Sequence, residues 1–139
     1  MNYQTIRDQL IFDEGELLNL YPCSEKKMSI GIGHNLTDCG ITQEMSRFIF
    51  KCDLKECVDD LQRIFPDQFD SFPDAIQHVL INMRFQHGHT GFRGYKKMIP
   101  AVRKLDLVGM VREMKDSVWY HKFPGRANRL IKMVEDFIK

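Results

Sequence analysis

The sequence predicts a mostly helical α+β protein in which a small N-terminal lobe containing a β-hairpin is joined by one long helix to a C-terminal helical lobe. Three observations predict it. Between Leu17 and Thr37 helical spacing gives way to short extended pieces, from Met45 to Ile64 an apolar stripe persists at helical spacing, and from Pro73 onward the chain reads as short helices. At 139 residues the chain is a single domain, or two lobes sharing one core. A second independent domain would need about 100 residues more.

Over residues 3–13, Tyr3, Ile6, Leu10 and Ile11 recur at helical spacing, and Gly15 follows the acidic pair Asp13-Glu14 where a helix would end. Glu14 is thus expected near a helix C-terminus, where the backbone dipole disfavours negative charge and suits a carboxyl that must hold a proton. Leu18-Asn19-Leu20-Tyr21, the polar turn Ser24-Glu25-Lys26-Lys27 and Met28-Ser29-Ile30-Gly31-Ile32-Gly33-His34 read as a small hairpin region. Thr42 is suited to cap a helix with Gln43 and Glu44 in its first turn. Met45, Ile49, Cys52, Val58, Leu61 and Ile64 then form a stripe that drifts around one face and ends near Pro66. A helix of roughly 23 residues runs about 35 Å, long enough to tie two lobes together.

Pro73 fits the first turn of a further helix carrying Ala75, Ile76, Val79, Leu80 and Met83, and His87-Gly88-His89-Thr90-Gly91 breaks the pattern. Later helices are expected at 95–104, 106–116 and 124–138. The Met and Phe residues on these segments read as core packing, and no cofactor is expected.

Apolar residues make up 43% of the chain and charged residues 28%, the balance of a soluble globular protein. No apolar run approaches the roughly 18–20 residues of a membrane span. Residues 1–8 lack the basic start and apolar stretch of an export signal, so neither membrane insertion nor signal-directed export is expected. Cys23, Cys39, Cys52 and Cys57 are spaced 16, 13 and 5 residues apart, which offers no Cys-x-x-Cys pair for a metal. Cys52 and Cys57 read as small apolar helix residues. The net charge of +1 hides an asymmetry: residues 1–69 carry 7 Lys/Arg against 12 Asp/Glu, and residues 70–139 carry 13 against 7. A basic half suits an anionic polymer or simply solvated helix faces. No zinc-finger spacing, heptad with a basic arm or aromatic sheet signature points to nucleic acid as a partner.

Glycosidic cleavage needs a proton donor on the leaving oxygen and a second group that stabilises or attacks the anomeric carbon. Glu14 at a helix end, with Cys23 or Ser29 on the hairpin beyond it, offers such a pair. The strings that carry this pair are Asp13-Glu14-Gly15, Tyr21-Pro22-Cys23 and Ser29-Ile30-Gly31-Ile32-Gly33-His34. They resemble the phage-type lysozymes, glycoside hydrolase family 24. Members show an acidic-Glu-Gly helix end, a Tyr shortly after it, an Asp or sometimes a Cys nine residues past the Glu, a Thr six further, and a Gly-Ile-Gly-His strand. The likeness continues through Leu80-Ile81-Asn82-Met83, Phe85-Gln86, Gly88, Thr90-Gly91, Ser117, Trp119-Tyr120, Pro124, Arg126-Ala127 and Arg129, nearly the whole chain.

The resemblance implies a lysozyme-like fold with lobes at roughly 12–65 and 66–139 and with helix 3–13 packing on the C-terminal lobe. It implies a muramidase, or endolysin, that hydrolyses beta-1,4 bonds between N-acetylmuramic acid and N-acetylglucosamine in peptidoglycan. Glu14 is then the general acid and Arg126 the cation that pairs with it. His34 pairs with Asp53 on the long helix, matched through Phe50-Lys51-Cys52-Asp53, and both are structural. Phe85, Gln86 and Trp119 line the cleft or the core beneath it, and Asn35 borders the groove within reach of a sugar. A monomer is implied, with no metal, accumulating in the host bacterial cytoplasm and acting in the periplasm once a holin has permeabilised the membrane.

Two positions depart from the pattern: Cys23 stands where many members have Asp, and Ser29 where most have Thr. An ordinary thiol ionises near ~8.5, so a thiolate at neutral pH requires a site that favours it. Ser29 keeps the hydroxyl that holds a water but lacks the methyl group that restricts its rotamer. The segment from Asn35 to Ile41 is short for the family, which predicts fewer groove contacts. Two rival readings follow from the departures. One is a wall peptidase or amidase built on Cys23 with a histidine. The other is a peptidoglycan-binding module that kept the fold and lost the chemistry.

Overall fold

The computed structural model describes every residue except Ser24 and Glu25. It divides into two compact units, Met1–Ile49 and Phe50–Lys139.

In the first unit, α1 spans Tyr3–Glu14. The Asn2 side chain caps it by accepting from the Thr5 N–H at 3.1 Å. It stops at Gly15, whose φ of 70° is open to glycine and whose N–H donates to the Ile11 carbonyl at 2.8 Å. A three-stranded antiparallel sheet follows in the order β1 (Leu17–Pro22), β2 (Met28–Gly31), β3 (His34–Asn35). The expected hairpin therefore gains a third strand, which places β2 at its centre. Tyr21 and Asn35 stand opposite Ser29 on either side. Of the expected polar turn, Ser24 and Glu25 lie outside the described residues. Lys26 adopts φ 62°, and the Cys23 N–H donates to the Lys27 carbonyl at 2.8 Å. The short segment after β3 holds a helix the periodicity did not reveal, α2 (Leu36–Cys39). One turn is too short to show a period; it forms because Asn35 caps it and Gly40, at φ 57°, ends it.

The long helix α3 spans Gln43–Ile64, 22 residues or about 33 Å. Thr42 caps it as expected, its Oγ1 accepting from the Met45 N–H at 3.1 Å. Its apolar stripe is buried only toward the C-terminal end, at Cys57, Leu61 and Ile64, and Met45 and Ile49 are exposed. Of the two helix cysteines read as apolar packing, Cys57 is buried and Cys52 is not.

The second unit is helical. A 3₁₀ turn at Phe69–Ser71 leads to α4 (Asp74–Arg93), in which Gly88 breaks helical geometry at φ 74°, ψ 179°, within the segment the sequence marked as a break. Then come α5 (Met98–Arg103), α6 (Leu107–Lys115), α7 (Val118–Lys122) and α8 (Pro124–Ile138). α5 starts later than expected because a turn around Gly94 precedes it. The five-residue α7 was not expected; it forms where the Ser117 side chain caps the Tyr120 N–H at 3.1 Å. Phe65, Phe92, Leu61, Leu80, Met83, Met98, Met110 and Met114 are wholly buried in the core these helices share. Each contributes about 1.5–3 kcal/mol of apolar burial, so these Met and Phe residues pack the core as expected, whereas Phe85, Phe123 and Phe137 are exposed.

Candidate active site

Glu14 is the last residue of α1. Its carboxylate lies against the backbone of Gly33 in the turn from β2 to β3: a Cβ on Gly33 would stand 2.8 Å from Glu14 Oε2. Gly33 also holds φ at 64°, so both conformation and space require glycine there. The Gly-Ile-Gly-His run thus seats the glutamate as well as forming a strand end. Ser29, 4% exposed, occupies the middle strand of the same sheet, and Cys23, half-buried, directly follows β1. The first unit thus holds Glu14 at a helix end over the β2–β3 turn, Ser29 on the middle strand and Cys23 just past β1.

His34 and Asn35 have local partners in this unit. His34 Nε2–H donates to the Gly40 carbonyl at 2.7 Å, which ties β3 to the end of α2. Asn35 Oδ1 accepts from the Asp38 N–H at 3.1 Å and its Nδ2 donates to the Asp38 carboxylate at 3.0 Å, so both polar ends serve the helix cap. Lys27 Nζ pairs with the same Asp38 at 2.5 Å, and this pair holds the Asp38 carboxyl below the usual carboxylate range. The Thr37 hydroxyl accepts from the Met28 N–H at 2.8 Å. Together these bonds fasten the segment after β3 to the start of β2.

In the second unit, Trp119 is 4% exposed and donates its indole N–H to Gln86 Oε1 at 2.8 Å. This pairing, between two residues 33 positions apart, makes them one structural element. His87 stacks edge-on against Trp119, ring centroids 5.6 Å apart, and shares a 3.0 Å hydrogen bond with the Tyr95 hydroxyl. Burial, with the nearby Arg126 charge, lowers the His87 pKa; burial raises that of Tyr95. These three rings form one wall of a pocket of about 640 Å³ that also reaches Lys97, Lys122 and Phe123. Arg126 donates to the Asn82 side chain at 2.8 Å. It lines an apolar pocket of about 530 Å³ with Phe50, Ile81 and Phe85, the last 42% exposed. Asp53 lines a separate pocket with Glu56, Cys57, Arg84, Phe85 and His89. Among the described residues, no group of three or more His, Cys, Asp or Glu side chains could hold a metal ion.

The sequence reading missed a buried charge cluster. Asp60 on α3 is 0% exposed and accepts from Arg84 Nε at 2.6 Å and from both terminal nitrogens of Arg93 at 2.8 and 2.6 Å. Its carboxyl is held far below the usual range, Arg93 making the largest contribution against the opposing effect of burial. The signal was present: Asp60 sits three residues after Cys57 and four before Ile64, on the buried stripe, and Arg84 sits four after Leu80. A charge on an apolar stripe requires a partner.

No family model matches the chain. It is 26% identical over 159 residues to probable T4-type lysozyme 1 of Dictyostelium discoideum, spanning 94% of each protein. It is 23% identical over 159 residues to probable T4-type lysozyme 2 of the same organism, again 94% of each. It is 25% identical over 158 residues to the pre-baseplate central spike protein Gp5 of Enterobacteria phage T4, covering 94% of this chain and 27% of that protein. The two Dictyostelium matches, nearly end to end in both proteins, bear out the resemblance to the phage-type lysozymes, and the mostly helical α+β architecture agrees with it.

Proposed function

We propose that the chain is a glycoside hydrolase of family 24 that cleaves the beta-1,4 bonds between N-acetylmuramic acid and N-acetylglucosamine in peptidoglycan. The observation that carries this reading is the position of Glu14, at the end of α1 with its carboxylate over Gly33. The matches to T4-type lysozymes supply the substrate class.

Glu14 protonates the glycosidic oxygen as the bond to the anomeric carbon breaks, and the sugar develops oxocarbenium character. Cys23 and Ser29 supply the second half of the reaction. As thiolate, Cys23 stabilises the developing positive charge, takes a proton from an attacking water or attacks the carbon itself. The Ser29 hydroxyl orients the water. The pairings Glu14–Arg126 and His34–Asp53 belong to the same proposal, and double-mutant cycles on each pair read them out. Asn35, Phe85 and Gln86 would border the bound glycan. The protein would act as a monomer on the wall of a phage's host, reaching the periplasm from the cytoplasm with the help of a holin, for cell lysis at phage release.

Turbidity clearing of permeabilised Gram-negative cells tests the reading. The native protein is expected to clear them and release reducing sugars, and Glu14→Gln to lose clearing by about 10²–10⁴-fold, the usual share of a general acid. Unchanged clearing by Glu14→Gln would overturn it. Release of new amino groups instead of reducing sugars would mark a peptidase.

A further inference from the structure

Three cations of residues 70–139 gather with Arg63 at one place in the helical unit. Arg63 near the end of α3, Arg93 at the end of α4, Lys96 in the turn beyond it and Arg103 at the end of α5 line one pocket of about 420 Å³, with Ile64, Ile99 and Pro100 as its apolar wall. No carboxylate is among its lining residues. None of the residues assigned to glycan cleavage is there either.

Two of the four cations are held in place, Arg103 by neutral groups and Arg93 by a carboxylate outside the pocket lining. Arg103 donates from Nη2 to the Ile64 carbonyl at 3.0 Å and lies 5.9 Å over the Phe65 ring, both neutral partners. Arg93 is fixed by Asp60, but that single carboxylate already faces the buried Arg84, so the cluster behind the pocket keeps a net positive charge. Arg63 reaches Asp60 only at 3.4 Å and its side chain is 62% exposed; Lys96 is exposed as well. Four like charges around one cavity repel one another and destabilise the fold. With the Arg93 fork taken by Asp60, the Arg63 and Arg103 guanidiniums and the Lys96 ammonium remain to match the tetrahedral oxygens and double charge of a phosphate, and a single carboxylate would leave most of the surplus uncompensated.

We propose that this pocket is a binding site for a phosphate group, separate from glycan cleavage. Arg93 and Arg103 form its rigid floor, and Arg63 and Lys96 close over the bound anion. The apolar wall of Ile64, Ile99 and Pro100 takes the carbon skeleton of a phosphoester.

Calorimetric titration of inorganic phosphate into the full chain at low ionic strength tests it. Saturable one-to-one binding is expected, weakened by about tenfold or more in the Arg63→Gln/Lys96→Gln double variant, since each exposed cation contributes a charge-assisted hydrogen bond. An unchanged circular dichroism spectrum and retained clearing of permeabilised cells would show that the variant is folded. Co-sedimentation with phosphatidylglycerol against phosphatidylcholine vesicles identifies the source: charge-selective binding lost in the double variant supports the pocket taking a lipid headgroup. Phosphate binding without vesicle binding supports a soluble phosphoester. No saturable phosphate binding by the native chain, or equal affinity in the double variant, overturns the proposal.

Discussion

Both oxygens of the Asp60 carboxylate accept hydrogen bonds from the Arg93 guanidinium, at 2.8 and 2.6 Å, in the fork-to-fork geometry that gives Arg–carboxylate pairs their strength. Arg84 adds a third bond from a nearly buried position, so one carboxylate neutralises a charge the core would not otherwise tolerate. Asp60→Asn is expected to destabilise the helical unit by about 3–5 kcal/mol, because it leaves Arg84 buried and unpaired. Arg93→Gln, at a side chain 34% exposed, is expected to cost less. Urea melts followed by far-ultraviolet circular dichroism rank the two, and equal or reversed costs would contradict this account. The carboxyl titrates lower in the fold than in the unfolded chain, so its stabilisation is complete above pH ~4 and declines as pH falls below that.

Gly33→Ala is expected to reduce lysis more than it reduces stability. The positive φ costs about 1–2 kcal/mol for a residue with a side chain. The new methyl group would also stand 2.8 Å from Glu14 Oε2, and the carboxylate is the part free to move. Displacing an acid by an ångström lowers turnover by about 10²-fold. Clearing rates set beside thermal melts separate the two effects.

If Cys23 takes part in the reaction, its chemistry is separable from its shape. Cys23→Ser is expected to lose about 10²-fold or more in clearing rate, and Cys23→Asp to remain active, since a carboxylate supplies the negative charge directly. Alkylation should inactivate a protein in which the exposed Cys39 and Cys52 have been replaced by alanine. Full activity in Cys23→Ser would remove the thiol from the mechanism.

Trp119 is the sole tryptophan and stacks on His87, which makes its emission a reporter of that imidazole. Burial favours neutral His87, so its titration is expected below the ordinary value of about 6.5. The sign for stability follows: this group's contribution is intact above that value and lost as pH falls through the lowered one. A fluorescence titration of native protein against His87→Gln, in which the transition should vanish, checks both points.

Periodicity and punctuation determined much of this protein from the sequence alone. Gly15 ends α1, Thr42 begins α3, Gly88 breaks α4 and Pro124 opens α8, because each acts on its own backbone within a turn of chain. The placement of Glu14 at a helix end was legible for the same reason. Elements of four or five residues, α2 and α7, were not legible, since they are too short to show a period and exist through single capping side chains. Partners distant in sequence were decided by tertiary structure: Gln86 with Trp119, Asp60 with Arg84 and Arg93, and the four cations from three helices and a turn around one pocket. The sequence marks a charge on a buried stripe as needing a partner, but only packing brings that partner within 3 Å.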